Sequence, residues 1–249
     1  MRCAGIDIGS RTIELIVIAG DEVVENLQTD SGFDPMAQAK PLLESTNYDK
    51  IMVTGYGRHL FEISFDVPTV TEIKAYAVGA KKLCPDIRTI LDIGGQDSKA
   101  IAVDGEGRVV KFEMNDRCAA GTGKFLEIMA QTLGYSIETF GEDALKATGE
   151  IMINSMCTVF AESEVTSLVA KGVSRNEIAL ALHRSIVRRA VGMLKRVSIE
   201  DPILFAGGVA QNPCIHSLLE QALDRHITIP DRPQMVGALG AALLTMSGG

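Results

Sequence analysis

Residues 91–97 read Leu91-Asp92-Ile93-Gly94-Gly95-Gln96-Asp97, so that an apolar strand ends in two glycines flanked by carboxylates. Glycines directly after a strand let backbone N–H groups approach an anion without a Cβ in the way. The chain then runs through an apolar segment at 109–112 into Asn115-Asp116-Arg117-Cys118-Ala119-Ala120-Gly121-Thr122-Gly123. A phosphate-type turn therefore lies within one hairpin of a cysteine, which indicates nucleotide chemistry coupled to cysteine chemistry.

The same turn occurs earlier, where strand 2–8 ends in Asp7-Ile8-Gly9-Ser10. Asp7 and Asp92 lie 85 residues apart, and the order of strand, turn and strand recurs at roughly that distance. We therefore predict an internal duplication, with three meandering strands followed by helices in each half. The alternative is that two strands ending in Asp-Ile-Gly merely look alike, and the shared hairpin order argues against it.

Hydrophobic periodicity and turn residues predict alternating strands and helices along the whole chain. The first half has predicted strands at 2–8, 12–18, 22–27 and 50–54, and helices at 35–43 and 72–83. The second half has predicted strands at 88–93, 98–103, 108–114, 203–205 and 227–229, and helices at 119–133, 137–147, 158–170, 175–197, 214–224 and 234–246. The crossover between the halves is predicted at 85–88.

Composition excludes several classes of protein. The 249 residues are 46% hydrophobic and 22% charged, which is ordinary globular composition. A formal net charge of -8 argues against a nucleic-acid surface. No run of 18 apolar residues occurs and the start lacks a signal-peptide pattern, so we expect a soluble cytoplasmic protein with no membrane partner. Five scattered cysteines without a C-x-x-C argue against a disulfide framework.

Two such turns can clasp a polyphosphate from both sides. Asp7 and Asp92 would face each other across the cleft, where a carboxylate cannot touch phosphate without repulsion. A magnesium ion with its waters is therefore the expected intermediary. Ser10 and Gln96 offer neutral hydrogen bonds to the β- and γ-phosphates.

A third glycine pair, Gly207-Gly208, follows strand 203–205 and leaves room for a flat base, with Asn212 as a cap for the next helix. A P-loop is excluded, because Phe125 follows Gly121-Thr122-Gly123-Lys124 where that motif needs serine or threonine.

Four motifs together resemble the ATP-dependent activators of 2-hydroxyacyl-CoA dehydratases, relatives of the benzoyl-CoA reductase ATPase subunits. These belong to the superfamily of acetate and sugar kinases, heat-shock chaperones and actin. The motifs are Asp92-Ile93-Gly94-Gly95-Gln96-Asp97, Asn115 to Gly123, Phe160-Ala161-Glu162-Ser163-Glu164 and Gly207-Gly208-Val209-Ala210-Gln211-Asn212-Pro213. The resemblance covers essentially the whole chain. Arg11 and Glu14 depart from it, because small or apolar residues are more usual there.

The resemblance implies an α/β fold of two ribonuclease-H-like, actin-like ATPase domains, with a nucleotide cleft between them. Residues 1–87 would form the first domain, 88–232 the second, and 233–249 a C-terminal helix that packs back on the first. It implies a homodimeric ATPase that passes single electrons to a dehydratase or related reductase, with ferredoxin or flavodoxin as donor.

The site residues follow from the turns and the resemblance together. The expected catalytic residues are Asp7, Asp92 and Gln96. The expected residues for ATP or ADP with Mg²⁺ are Gly9, Ser10, Gly94, Gly95, Asp97, Glu162, Gly207, Gly208, Gln211 and Asn212.

Cys118 and Cys157 each precede a predicted helix, where the helix dipole favours the thiolate that iron–sulfur and zinc sites need. Asn115 or Asp116 would cap the first helix, and Asn154 or Ser155 the second. A cubane takes four cysteines, so two per chain suffice if a two-fold axis passes through the metal. From the residues alone, buried inert thiols remain an equal alternative. The resemblance matches Cys118 and Cys157 to the ligands of a 4Fe-4S cluster shared by the homodimer.

The other cysteines (Cys3, Cys84, Cys214) and the four histidines are interpreted as structural. A basic group on helix 175–197 is interpreted as a solvated face, with a docking surface for an acidic partner as the alternative; it comprises Arg184, Arg188, Arg189, Lys195 and Arg196.

Two other functions stay open. A small-molecule kinase on the same fold would need a carboxylate base, for which Asp97 and Asp116 are candidates. A non-catalytic nucleotide-binding module needs only the duplication. Neither explains the two cysteines, whereas an activator would use ATP to swing the halves and move the cluster-bearing helices.

Overall fold

The computed structural model describes residues 1–153 and 157–247. The strands are β1 (Arg2–Ile8), β2 (Thr12–Ala19), β3 (Glu22–Asp30), β4 (Lys50–Thr54), β5 (Thr89–Ile93), β6 (Ser98–Val103), β7 (Val109–Asn115), β8 (Ile203–Ala206) and β9 (Ile227–Thr228). The helices are α1 (Pro35–Ser45), α2 (Arg58–Phe65), α3 (Glu72–Leu83), α4 (Gly123–Leu133), α5 (Ile137–Leu145), α6 (Thr158–Ala170), α7 (Arg175–Val197), α8 (Pro213–Leu223) and α9 (Val236–Ser247). Within these ranges, no helix is long and apolar enough to cross a lipid bilayer.

The strands form two sheets with the same plan. The first sheet has the order β3-β2-β1-β4 and the second the order β7-β6-β5-β8-β9. In each, an antiparallel meander of three strands is followed by a strand parallel to the first, β4 beside β1 and β8 beside β5. The register repeats as well, because Asp7 lies opposite Glu14 and Asp92 lies opposite Lys99. The predicted duplication is confirmed.

Two helices depart from prediction. α2 was not predicted, because it is only eight residues long and no side-chain cap marks its start. The periodicity predicted that α4 begins at Ala119, but the helix begins at Gly123. Gly121 has φ +89°, a left-handed conformation that a helix cannot include, so the chain turns there before the helix begins.

α3 and α9 cross between the two halves. α9 packs on the first sheet, where its apolar residues contact Cys3, Ile16 and Ile18. α3 packs on the second sheet, with Tyr76, Ala77 and Ala80 against β5, β6 and β8. Each sheet is thus covered by a helix from the other half of the chain, so the two crossings join the halves.

Glycines allow the two crossing helices to touch. A Cβ added to Gly240 of α9 would lie 1.8 Å from the carbonyl oxygen of Ala75, and one added to Gly79 of α3 would lie 2.1 Å from that of Val236. Both obstacles are backbone atoms, which cannot move aside without separating the helices. The contact between α3 and α9 therefore depends on glycine at these positions.

We expect Gly240→Ala to lower the free energy of unfolding by about 3 kcal/mol, because the added methyl group forces the helices apart. Gly192→Ala in α7 is the matched control. Its new Cβ would meet nothing closer than 3.7 Å, from Arg196, and higher helix propensity should raise stability by up to about 1 kcal/mol. Urea unfolding measures both, and equal effects of the two substitutions would contradict the close packing.

Candidate functional site

A cleft of about 870 Å³ lies between the two halves. All the predicted nucleotide residues except one line it, from the turns after β1 and β5 and the turn after β8: Asp7, Gly9, Ser10, Asp92, Gly94, Gly95, Gln96, Asp97, Gly207, Gly208, Gln211 and Asn212. Glu162 is the exception, since it lies on α6 with its side chain exposed. The structure does not bring Glu162 into the cleft with the others.

The two phosphate-type turns lie against each other. A Cβ on Gly95 of the second turn would meet the Cβ of Arg11 at 2.8 Å and the hydroxyl oxygen of Ser10 at 3.0 Å. Arg11 also crosses the cleft, where its Nε donates to Glu127 of α4 at 2.8 Å. Arg11, which departs from the family pattern at the first turn, therefore joins the two halves.

Each of the two aspartates is enclosed by a left-handed glycine. Gly55 after β4 has φ +95°, and Gly207 after β8 has φ +84°. A Cβ on Gly55 would meet Oδ1 of Asp7 at 2.3 Å, and one on Gly207 would meet Oδ1 of Asp92 at 2.5 Å. Gly55 was predicted only to end a strand. The duplication could have revealed its role, since it holds the position that Gly207 holds in the second half.

A buried lysine binds the carboxylates of the second half. Lys99 is 2% exposed, and its Nζ lies 2.9 Å from Asp92, 2.5 Å from Asp97 and 2.7 Å from Glu72 at the start of α3. It also lies over the ring of Tyr76. Sequence reasoning missed both Lys99 and Glu72. Lys99 could have been found in the sequence, because it lies opposite Asp92 in a predicted hairpin. Glu72 could not have been found in this way, because it is distant in sequence from both residues.

Burial controls the charges in this cluster. Burial raises the pKa of Asp92 to about 6, although Lys99 opposes the shift. Burial also raises the pKa of Asp7 well above its ordinary value, with Glu14 and Glu72 adding to the effect. For Lys99, burial lowers the pKa, but the three carboxylates outweigh it and raise the pKa well above its ordinary value. Lys99 is therefore a permanent cation at neutral pH.

At the far end of the cleft, Asn212 is fixed from two sides. Its Oδ1 accepts hydrogen bonds from the backbone of Cys214 and Ile215, both at 3.0 Å, so it caps α8 as predicted. Its amide nitrogen donates to Nε2 of His183 at 3.0 Å, because Nδ1 of the same ring donates to the carbonyl of Ala179 at 2.7 Å. Burial lowers the pKa of His183 to about 4, so the ring stays neutral and keeps this tautomer.

Cys118 does not lie at the start of a helix, which corrects the prediction. It is half-buried in the turn between β7 and α4, and Asn115 donates to its carbonyl at 2.9 Å instead of capping a helix. Cys157 is exposed and is the N-cap residue of α6, so for this thiol the predicted position is confirmed. The caps predicted for this helix, Asn154 and Ser155, lie outside the described residues.

The turn that carries Cys118 is attached to the second phosphate turn. The backbone nitrogen of Gly123 donates to the carbonyl of Gly94 at 2.9 Å, and that of Lys124 donates to Gly95 at 2.7 Å. These two donors belong to the first turn of α4. A displacement of the Gly94–Gly95 turn must therefore displace the segment that carries Cys118.

The basic residues of α7 form only part of the predicted solvated face: Arg188, Lys195 and Arg196 are exposed, but three arginines of the group also bind loop carbonyls. Arg184 donates to the carbonyl of Gly149 at 2.5 Å, Arg188 to Ile153 at 2.7 Å, and Arg189 to Ala120 at 3.0 Å. Arg196 forms two bonds with Glu113, at 2.7 and 2.5 Å, while Lys195 is exposed as expected. Arg188 and Arg189 thus hold the segments that lead to the two candidate cluster cysteines.

The family model of the BadF/BadG/BcrA/BcrD ATPases matches residues 4–245. The chain belongs to this ATPase family. It is 40% identical over 252 residues to the activator of lactoyl-CoA dehydratase of Anaerotignum propionicum, covering 98% of this chain and 96% of that protein.

Two solved structures have the same fold. Component A of the (R)-2-hydroxyglutaryl-CoA dehydratase of Acidaminococcus fermentans superposes with a TM-score of 0.93 at 36% identity, covering 100% of this chain and 98% of that one. The activator of the 2-hydroxyisocaproyl-CoA dehydratase of Clostridium difficile, with bound ADPNP, superposes with a TM-score of 0.90 at 33% identity, covering 100% and 95%. The predicted fold class, two α/β halves of the actin-like ATPase kind, is confirmed.

We expect Lys99→Met to lower the free energy of unfolding by about 3–5 kcal/mol, because it leaves buried carboxylates without their cation. Lys124→Met is the control, since Lys124 is 49% exposed and pairs with Glu127 at the surface; its effect should stay within about 1 kcal/mol. Chemical denaturation at neutral pH gives both values. Similar small losses for the two variants would show that Lys99 does not neutralise the cluster.

Proposed function

We propose that the chain works in the cytoplasm as a homodimeric, ATP-hydrolysing activator that delivers low-potential single electrons to a 2-hydroxyacyl-CoA dehydratase or related acyl-CoA reductase. The chain is an activator ATPase by family, and the finer proposal concerns its cluster, its dimer and its partners. The observation that carries it is the contact between the Gly94–Gly95 turn and the first turn of α4, because it connects a nucleotide turn to a candidate cluster cysteine.

For the nucleotide, we propose that Asp7 and Asp92 hold hydrated Mg²⁺ between the turns, with Gln96 beside the phosphates. The residues fit such an ion, since Oδ1 of Asp92 is buried without a hydrogen-bond partner in this structure. The bound ion would neutralise charge that develops on the phosphoryl group. Asn212, held by His183, then orients the Gly207–Gly208 turn where a nucleoside would lie.

For the electron carrier, we propose Cys118 and Cys157 as two ligands of a 4Fe-4S cluster that a second copy of the chain completes. The exposure of the thiols fits this assignment, because Cys3 and Cys214 are buried in the core. Burial raises the pKa of Cys214 to about 12, which makes it a poor ligand. A cubane cluster supplies one-electron chemistry.

The surface around Cys157 supports a dimer. Val159 and Phe160, in the first turn of α6, are each 67% exposed, and Met152 is 58% exposed. Apolar side chains that are exposed together are typical of interaction surfaces. We propose that this surface faces the second subunit, and that ferredoxin or flavodoxin supplies the electron.

ATP would act through the chain's own contacts. A nucleotide that pulls the Gly94–Gly95 turn pulls α4 as well, through the bonds of Gly123 and Lys124. The Cys118 segment precedes α4 directly and is also held by Arg189 of α7. Binding and hydrolysis would thus move the Cys118 segment. The ion pair between Arg11 and Glu127 spans the cleft, so it depends on how closely the two halves approach each other.

The cysteine assignment predicts a brown protein after anaerobic purification, with about four irons per dimer from the cubane ligand count. Cys118→Ala and Cys157→Ala should each remove the iron and the visible absorption. Cys84→Ala is the control, because Cys84 is also only partly buried but caps α3. Iron and sulfide analysis decides the matter, and a Cys118→Ala protein with full iron content would remove the assignment.

The two-turn clamp predicts that Asp7→Asn and Asp92→Asn each reduce Mg-ATP hydrolysis by roughly 10²-fold, because each removes a charge that positions the metal and its waters. Asp21→Asn, at an exposed carboxylate that pairs with Lys82, should leave the rate unchanged. Steady-state phosphate release measures all three. Parental rates in both cleft variants would show that the clamp is wrong.

A further inference from the structure

The two halves of the chain differ at one position beside their aspartates. Asp92 lies opposite Lys99 across β5 and β6, and Asp7 lies opposite Glu14 across β1 and β2. Lys99 lies 2.9 Å from Asp92 and supplies a buried positive charge in the second half. In the first half the same position carries a second carboxylate, so the duplication has placed opposite charges at equivalent sites.

The Asp7 and Glu14 pair has no close cationic partner among the described residues, although Lys99 attracts Asp7 at longer range. Asp7 is 6% exposed and Glu14 is 4% exposed. Among the residues that the structure describes, none places a cationic group within ion-pair distance of either side chain. Oε1 of Glu14 is also buried without a hydrogen-bond partner. Two buried carboxylates in this condition either take up protons or bind a cation, and burial raises the pKa of Glu14 to about 7.

The pair lines the same cleft as the phosphate-type turns. A polyphosphate that enters would add negative charge beside two carboxylates, so binding without a cation would be repulsive. Mg²⁺ fits this arrangement of carboxylates, because it is usually held by one or two carboxylates, several waters and substrate phosphates. The described residues contain no group of three or more His, Cys, Asp or Glu side chains that could hold a metal ion, so waters and phosphates would have to complete the coordination of this ion.

We propose that Glu14 is a further ligand of the divalent cation assigned above to Asp7 and Asp92, and that this ion supplies beside Asp7 the positive charge that Lys99 supplies beside Asp92. The inference rests on the proposed nucleotide site and adds a residue to it. The ion bound by Glu14 would supply the positive charge that Lys99 supplies at the equivalent position of the second half. Each half of the cleft would then contain one positive charge, which is the Lys99 side chain in the second half and an exchangeable metal ion in the first.

The test is a titration of the intact, anaerobically prepared protein with MnCl₂ in saturating ADP, followed by the electron paramagnetic resonance signal of free Mn²⁺. Loss of a side chain that only hydrogen-bonds to a metal ligand already changes metal affinity by about 10- to 100-fold, so loss of a direct ligand in Glu14→Gln should weaken Mn²⁺ binding by at least about tenfold. Glu138→Gln is the control, because Glu138 lines the same cleft but is exposed. It should bind Mn²⁺ as the parent does.

A second variant makes the opposite prediction for the nucleotide. Glu14→Lys introduces the residue that the second half has at the equivalent position, Lys99. It should therefore weaken Mn²⁺ binding at least as much as Glu14→Gln does, and bind ADP more tightly than the parent in EDTA. Wild-type Mn²⁺ affinity in a folded Glu14→Gln protein would overturn the proposal. If only Glu14→Lys folds, by circular dichroism, unchanged Mn²⁺ binding in that variant overturns it equally.

Failure of the wider function is separable from failure of this inference. ADP binding to the parent protein in MgCl₂ is measured first, with a fluorescent ADP analogue. Absence of that binding would refute the nucleotide site itself. Normal ADP binding with equal Mn²⁺ affinity in parent and Glu14→Gln would refute only the role of Glu14.

Discussion

The rest of the structure depends on buried charge at the floor of the cleft that is only partly neutralised. Asp7, Glu14, Glu72, Asp92 and Asp97 converge there, and Lys99 is the buried cation that meets three of them. A cluster of this kind adds little stability, because desolvation offsets the attraction between the charges. It is retained where its charges act on a ligand, and a polyphosphate with its metal is the ligand that the surrounding turns fit.

The crossing of α3 and α9 brings this cluster to the joint between the halves. Glu72 lies at the first position of α3, and α3 touches α9 through Gly79 and Gly240. Lys99 therefore binds not only the aspartate of its own half but also the helix on which the halves meet. Any ligand that changes the balance of charge at Lys99 acts directly on this joint, with no need for a long path through the core.

Much of this architecture is local in the sequence, and so could be predicted from it. Strands ending in Asp-Ile-Gly, the hairpin order and the capping asparagine at 212 all involve neighbours along the chain. What could not be predicted depends on distant contacts. The sequence predicted a solvated face for the arginines of α7, because their partners are distant in sequence. The carbonyls of Ala120 and Ile153, for example, lie about 35–70 residues away along the chain. The start of α4 was misplaced because a left-handed Gly121 has no signature in apolar periodicity.

The contacts of α7 decide which parts of the molecule can move. α7 holds Asn212 through His183, the Cys118 segment through Arg189, and the chain before Cys157 through Arg188. α4 in turn is bonded to the Gly94–Gly95 turn. The turn after β8, the Gly94–Gly95 turn and the segments next to both cysteines thus belong to one connected body. Under the proposed function, a nucleotide moves the Cys118 segment only by moving this whole body relative to the first half. The first half would then have to close on the phosphates, and Asp7, Glu14 and Arg11 are the charged residues of that half which line the cleft beside the turns.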